Sequence, residues 1–192
     1  VALAILFPMY WMIAIGSGIY DSGINFYQST TELTFSDLLF AVVGLLTVYV
    51  YLCLKRILND QFGIEGVNLP LNILIVCTAI YFFCLATLDL VMPVFSDGLG
   101  LSVHKFVLNA NLSIGIGSLF IFGVADILLG VLLLKNPHSE SGILKSLAIV
   151  AIIQGVIEIT VIFSVALVAV FPVTLLILAV LFIRKPDVLE VI

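Results

Sequence analysis

Four polar residues stand inside otherwise apolar stretches of this chain: Asp89, Asp126, Gln154 and Glu158. A charge at the centre of a bilayer costs at least about 2.5–3.5 kcal/mol even on the insertion scale, so such groups must face protein or water rather than lipid. Asp126 falls near the middle of the stretch Ile114–Leu134, and Gln154 near the middle of Ile143–Phe163. Two antiparallel helices would hold these side chains at similar depth, within reach of each other. Gly123, Asp126 and Gly130 follow at i, i+3 and i+7, within about 60° of one another around a helix. Ala151, Gln154, Gly155 and Glu158 repeat the pattern on the next stretch. Small residues let two backbones approach closely, and polar side chains then hydrogen-bond in the seam.

The chemistry open to this set is that of a carboxyl group out of water. Desolvation favours its neutral form, so Asp126 and Glu158 are expected to carry protons near neutral pH. Under one reading a protonated Asp126 and the Gln154 amide simply clip two helices together, a contact worth about 0.6–2 kcal/mol. Under another, Asp126 and Glu158, with Asp89, form a protonatable or ion-binding path. A contact with a partner subunit is the third. Asp89 sits within about a turn of the outer interface, where headgroups or water reach it, and Pro93 suits a helix ending there.

Other chemistries find no support. His104 and His138 fall in expected loops on opposite faces, so no pair of histidines projects inward to hold a haem. There is no nucleophile–base pair, G-x-S-x-G elbow, H-E-x-x-H helix or phosphate-binding glycine loop. The chain is therefore expected not to be an enzyme and to need neither cofactor nor metal. Cys53, Cys77 and Cys84 form no C-x-x-C pair and look like small core residues. A net charge of −5 argues against nucleic-acid binding and leaves no polybasic lipid-binding cluster.

The elements that must position the polar set are membrane helices. Of 192 residues, 63% are hydrophobic and only 10% charged, which makes lipid the solvent for most of the surface. A hydrocarbon core about 30 Å thick needs roughly 20 apolar helical residues to cross it. The expected spans are 2–20, 38–58, 71–92, 114–134, 143–163 and 165–183. The fold class is thus an all-α integral membrane bundle of six transmembrane helices in a single domain. Five remain conceivable, because no basic residue separates the last two spans.

Charge decides for six. Lysine and arginine of short loops favour the cytoplasmic side. With six crossings Lys55, Arg56, Lys135, Lys145, Arg184 and Lys185 share one face, Lys105 alone lies opposite, and both termini are cytoplasmic. The long apolar stretch then breaks between Ser164 and Pro172, with proline in the first turn of a short sixth helix. The first span lacks a basic n-region and a small-residue cleavage site, and reads as a retained helix with residues missing upstream of Val1.

The outward loops are Asp21–Asp37, acidic through Asp21, Glu32 and Asp37, and Phe95–Ser113. In the second, an amphipathic stretch Val103–Leu108 is expected at the interface, with His104 and Lys105 toward the headgroups. Tyr10, Trp11, Tyr20, Phe26 and Tyr27 give a partial aromatic belt, with Trp11 near mid-span. A faint repeat is visible as well. Ser36–Gly44 through Lys55 resembles Ser118–Gly123 through Lys135, each beginning a helix that ends in a basic residue. A short loop and a helix with one acid, Asp89 or Glu158, follow in both cases. That suggests a duplicated helix hairpin.

The stretch Leu119–Phe163 carries Gly123, Asp126 and Gly130, a leucine run to Lys135, Asn136-Pro137, and then Gly155 and Glu158. It resembles the hairpin of HdeD-like membrane proteins, six-helix bacterial inner-membrane proteins associated with acid resistance. The likeness covers about 45 residues. Val1–Ser36 and Asn59–Pro70 depart from the pattern. The resemblance implies six helices, a bacterial inner membrane and a non-enzymatic role, and it brings no catalytic residues. The leading expectation is a small non-catalytic accessory subunit or stress-related membrane component. It would act by helix packing in the lipid bilayer, with other membrane chains or by self-association. The alternatives are a proton or small-solute transporter using Asp126, Gln154 and Glu158, and a lipid-, quinone- or pigment-holding subunit with its ligand near Trp11, Tyr49, Tyr51 or Tyr81.

Overall fold

The computed structural model describes residues 2–20, 35–95, 101–136, 142–160 and 163–183. These are all-α. Six helices follow in order: α1 (Ala2–Tyr20), α2 (Phe35–Asp60), α3 (Asn68–Phe95), α4 (Leu101–Lys135), α5 (Gly142–Ile159) and α6 (Leu167–Ile183). Single 3-10 turns, Glu65–Val67 and Ser164–Ala166, precede α3 and α6. Four stretches are long and apolar enough to cross a membrane: Leu38–Asp60, Glu65–Leu85, Ser113–Lys135 and Gly142–Ile159. They make the chain an integral membrane protein. Ala2–Ile13 and Leu167–Ile183 are shorter apolar helices; at 1.5 Å per residue the second spans about 26 Å.

Lipid and protein interior are equally apolar, so hydrophobicity does not choose the inward face of such a helix; side-chain size and polarity do. On α5 the buried residues include Ala148, Ala151, Gln154, Gly155 and Glu158, while Ile149, Ile153 and Val156 point outward. On α2 the exposed residues Leu38, Val42, Leu45, Tyr49 and Leu52 mark the lipid-facing side.

The helices pack as neighbours in sequence, with α4 and α5 in the most extensive contact and α1 closing against both α2 and α6. The α2–α3 connection is tight. Gly63 takes a positive φ of 61°, open to glycine at no steric cost, and the Ile64 N–H returns to the Leu58 carbonyl at 2.9 Å. Asn59 Nδ2 donates to Asn68 Oδ1 at 2.7 Å and Lys55 Nζ to Asn72 Oδ1 at 2.8 Å, closing the base of the hairpin. Leu58, Ile64, Val67 and Leu71 are fully buried beneath it. On α3 and α4, Tyr81 and Phe122 stand equally far from Asn68 and Lys135, and their rings meet at 6.1 Å. That register brings Lys55, Arg56 and Lys135 to the same end of the bundle.

Aromatic rings link five helices. Phe171 of α6 meets Phe7 of α1 at 4.5 Å, Tyr10 meets Phe40 of α2 at 5.3 Å, and Phe40 meets Phe82 of α3 at 4.5 Å. Tyr81 completes the series to Phe122 of α4. Tyr10, read from sequence as part of an outer belt, thus belongs to this chain of rings, and Trp11 packs against Phe7 and Tyr10 from an exposed position. Phe26 and Tyr27 and the side chain of Tyr20 lie outside the described residues.

Several expectations are corrected. The Val103–Leu108 stretch is no separate interfacial element, since α4 runs unbroken from Leu101 to Lys135, about 52 Å of helix. Polar residues there end the apolar span without breaking the backbone, because no proline intervenes. The helix around Asp126 accordingly starts at Leu101 rather than near Ser118, and α2 continues past Lys55 to Asp60, so the two proposed repeat halves differ at both ends. In α3 the backbone stays helical through Pro93 to Phe95. Pro172 is not in the first turn but in the sixth position of α6, where its missing N–H deprives the Val168 carbonyl of a donor. Pro8 does the same to Ala4 in α1. Cys53, Cys77 and Cys84 are free and half-buried rather than core. The acidic loop through Asp21 and Glu32, the turn through His138, and Arg184 and Lys185 lie outside the described residues.

Gly123 and Gly130 of α4 and Gly155 of α5 sit where nothing larger fits. A Cβ on Gly155 would stand 2.5 Å from the Gly123 carbonyl oxygen, one on Gly123 2.6 Å from the Gly155 oxygen, and one on Gly130 2.6 Å from the Ala148 oxygen. Backbone atoms cannot swing aside, so Gly155→Ala is expected to push the helices apart and cost about 1–3 kcal/mol, like other overpacked cores. Gly117→Ala, which meets open space, should be neutral or slightly stabilising. Thermal unfolding in detergent distinguishes the two; equal midpoints would refute the close-approach account.

Candidate functional site

The close approach of α4 and α5 has a direct consequence one residue away. Asp126 lies one turn beyond Gly123, and Gln154 precedes Gly155, so the glycine contact sets the two side chains face to face. Gln154 Nε2 donates to Asp126 Oδ2 at 2.7 Å. The second hydrogen of the same amide goes to Glu158 Oε1 at 3.2 Å, one turn along α5. The amide oxygen is used too: Thr174 Oγ1 of α6 donates to Gln154 Oε1 at 2.9 Å. That hydroxyl also lies 3.3 Å from the Val170 carbonyl.

All four side chains are buried, with exposures of 3% for Asp126, 2% for Gln154, 6% for Glu158 and 8% for Thr174. Glu158 Oε2 is buried with no hydrogen-bond partner. From α2, Tyr51 stands near enough to both carboxyl groups to interact electrostatically with them. Two of the described cations are engaged elsewhere, Lys55 with Asn72 and Arg56 with Asp60 at 3.4 Å on an exposed edge, and none of the described cations forms an ion pair with Asp126 or Glu158. The hydrogen-bonded cluster is therefore two acids, one amide and one hydroxyl, drawn from three helices, with the Tyr51 phenol of α2 in electrostatic reach.

The structure thus brings together three of the four polar residues singled out from sequence. The fourth, Asp89, is carried by α3, and its side chain lies outside the described residues. Of the packing residues, Gly123, Gly130 and Gly155 form the seam itself, and Ala151, buried to 4%, lies on the same face of α5. Thr174 and Tyr51 were not singled out as members of this set. Thr174 carried a readable signal, being the single polar side chain of the apolar run Leu167–Ile183. Tyr51 had none, because an aromatic residue in a span is ordinarily packing. Tyr49, two residues away, points outward at 64% exposure, and Trp11 packs against the ring chain that includes Tyr81, so these aromatics do not line one shared site.

Comparison with protein-family models, curated proteins and solved structures finds no match for this chain. What the site can do must therefore be read from its atoms. Among the described residues no group of three or more His, Cys, Asp or Glu side chains comes together, and the cluster offers only oxygen donors and one amide nitrogen. Its available chemistry is the holding and exchange of protons or of hard cations.

Because Gln154 serves three partners at once, the two ends of the network should differ in sensitivity. Thr174→Val removes one bond and leaves the amide oxygen unpaired, an expected loss of about 1–2 kcal/mol. Gln154→Leu strips both carboxyl groups of their donor and should cost more. Unfolding midpoints of the two variants would be compared, and a Thr174→Val loss as large as that of Gln154→Leu would contradict the central place of the amide.

Proposed function

We propose that the protein is a non-catalytic multi-pass membrane protein that carries protons, alone or with a small solute, by way of Asp126, Gln154 and Glu158. The observation behind this reading is the second carboxyl group. A clip between two helices needs one acid and one amide, whereas here two acids share one amide in a buried cluster. Two negative charges held this close, out of water and with no ion pair to a cation among the described residues, cannot both persist. The pair must hold at least one proton, and a proton shared by two acids is one that can be exchanged. The expected membrane is the bacterial inner membrane, with α1 and α6 completing six crossings and the end bearing Lys55, Arg56 and Lys135 in the cytoplasm.

A second reading makes the chain an accessory or stress-related component that works through helix packing with another chain or a second copy. It is favoured by α1 and α6, whose apolar stretches are short and which leave Ile5, Met12, Val173 and Val180 exposed on adjacent helices. The α4–α5 glycine seam does not add to it, because that seam is consumed within the chain. The likeness of α4–α5 to HdeD-like hairpins is compatible with both readings.

Reconstitution into liposomes under an imposed pH gradient separates them. Wild-type protein is expected to dissipate the gradient at least about tenfold faster than Asp126→Asn, the loss of one transition-relevant group being worth about 1.4 kcal/mol or more. The asparagine variant keeps the side-chain volume and an acceptor for Gln154, so its fold is retained. Equal dissipation by wild type, variant and empty liposomes would remove the proton-carrying reading and leave the packing one.

A further inference from the structure

We infer that the cluster of Asp126, Gln154, Glu158 and Thr174 is a binding site for one sodium-like alkali cation, taken up in exchange for one proton as the Gln154 side-chain amide turns over. The inference rests on the reading of the two acids as an exchangeable proton site and names the second substrate. Its first support is the donor set. The two carboxyl groups, the Gln154 carbonyl and the Thr174 hydroxyl are all hard oxygen donors, the kind that replace the water shell of a hard cation. Its second is the state of Glu158, which is nine-tenths buried and whose Oε2 receives no hydrogen bond from an N–H or hydroxyl of the described residues, leaving the neighbouring Asp126 carboxyl to meet it through a proton or a cation. A buried carboxyl oxygen that no N–H or hydroxyl satisfies is a place for a cation or an acidic proton.

Coordination, rather than charge, selects a monovalent ion, since two ionised carboxyl groups around one divalent cation would be neutral as well. With two protons the cluster is neutral, and with one proton and one alkali cation it is neutral again. Exchange therefore releases one proton for each cation bound and leaves no net charge in the membrane. Magnesium retains several of its waters and calcium takes six to eight oxygen ligands. The four side chains supply six oxygens at most, and only with both carboxyl groups bidentate, while the α4 and α5 backbones in contact beside them leave no room for retained waters. Tyr51 of α2 interacts electrostatically with both acids and is a titratable group from another helix among the described residues that does so. From α6 the facing group is Thr174, which does not titrate.

The switch lies in Gln154. In the structure its two N–H bonds point at the acids and its carbonyl at Thr174, an arrangement suited to carboxyl oxygens that need donors. When the amide turns by half a revolution, Oε1 faces the acids and joins the ligands of a cation, while Nε2 faces Thr174. A hydroxyl both donates and accepts. Thr174 Oγ1 then accepts from Nε2 and gives its own proton to the Val170 carbonyl, already 3.3 Å away. Both orientations leave the amide and the hydroxyl satisfied.

The test uses the full chain in lipid nanodiscs, with thermal unfolding in sodium chloride against choline chloride at matched ionic strength, and the proton flux assay run in parallel. Sodium is expected to raise the midpoint relative to choline. Since each cation displaces one proton, the sodium concentration for half the effect should fall by up to about tenfold for each unit rise in pH. Adding sodium to weakly buffered protein should release about one proton per chain. Asp126→Asn and Glu158→Gln should each abolish both effects, Thr174→Val should weaken sodium binding severalfold, and the exposed Tyr49→Phe should change nothing. Proton flux with no sodium-specific stabilisation or proton release in the wild type overturns the cation site and leaves the proton-carrying reading standing. Stabilisation by calcium or magnesium but not sodium overturns it too, as does a sodium effect that survives in Glu158→Gln. Absence of both flux and sodium effects overturns both.

Discussion

Hydrocarbon offers no hydrogen bond, so every polar atom carried into this bundle must find its partner on another helix or on its own backbone. The Gln154 amide meets that demand for α4, α5 and α6 at once, and its three bonds fix how the helices are rotated. With Asp126, Gln154 and Thr174 turned inward, the outward faces follow. Ile149, Ile153 and Val156 of α5 and Val173, Leu176 and Val180 of α6 meet lipid. A bundle whose inner and outer surfaces are equally apolar has few other means of choosing those rotations, since burial of apolar area gives no preference between protein and lipid.

The two central hairpins solve the packing problem differently. Between α4 and α5 the contact is backbone to backbone, Gly123 against Gly155 and Gly130 against Ala148, with polar side chains joined across it. Between α2 and α3 it is glycine to ring, Gly44 lying under Phe82. The buried hydroxyl of Thr47 there turns back to the Val43 carbonyl of its own helix at 2.8 Å and needs no partner across the interface. At mid-helix one hairpin is held by directional bonds and the other by aromatic mass, its own side-chain hydrogen bonds lying at its base, and the rings from Phe7 to Phe122 carry that second mode around to α6 and α4.

Much of this was legible in the residues before any coordinates. Apolar length and sparse charge marked the four long spans, and the spacing of Gly123, Asp126 and Gly130 against Ala151, Gln154, Gly155 and Glu158 placed the polar seam on the right pair of helices. What escaped was of two kinds. Where polarity ends an apolar span but no breaker stops the backbone, as from Leu101 to Ser113, hydropathy marks the membrane boundary and not the helix end. Pro172 misled in the opposite direction, because a proline forbidden by simple hydrogen-bond counting is tolerated in a membrane helix whose neighbours accommodate the freed carbonyl. Contacts between distant segments were the other omission. Nothing local to Tyr51 or Thr174 says that it faces Asp126, Gln154 or Glu158; only the packing of α2 and α6 does.

The manner in which each helix is held also bears on where motion is possible. The positions of α4 and α5 are set by backbone contacts that tolerate no added atom, which makes the pair a stiff unit. α6 meets it differently. Its polar link is the single Thr174 hydroxyl, its start is a 3-10 turn rather than a continuation of α5, and Pro172 removes one backbone bond just before the threonine. A change in what Gln154 presents is thus resisted by α4 and α5 and accepted by α6, whose hydroxyl can answer as donor or acceptor. The acids occupy the rigid side of the cluster and the hydroxyl the compliant side. That division is what would let the two-proton form and the proposed cation-bound form of the site share one fold.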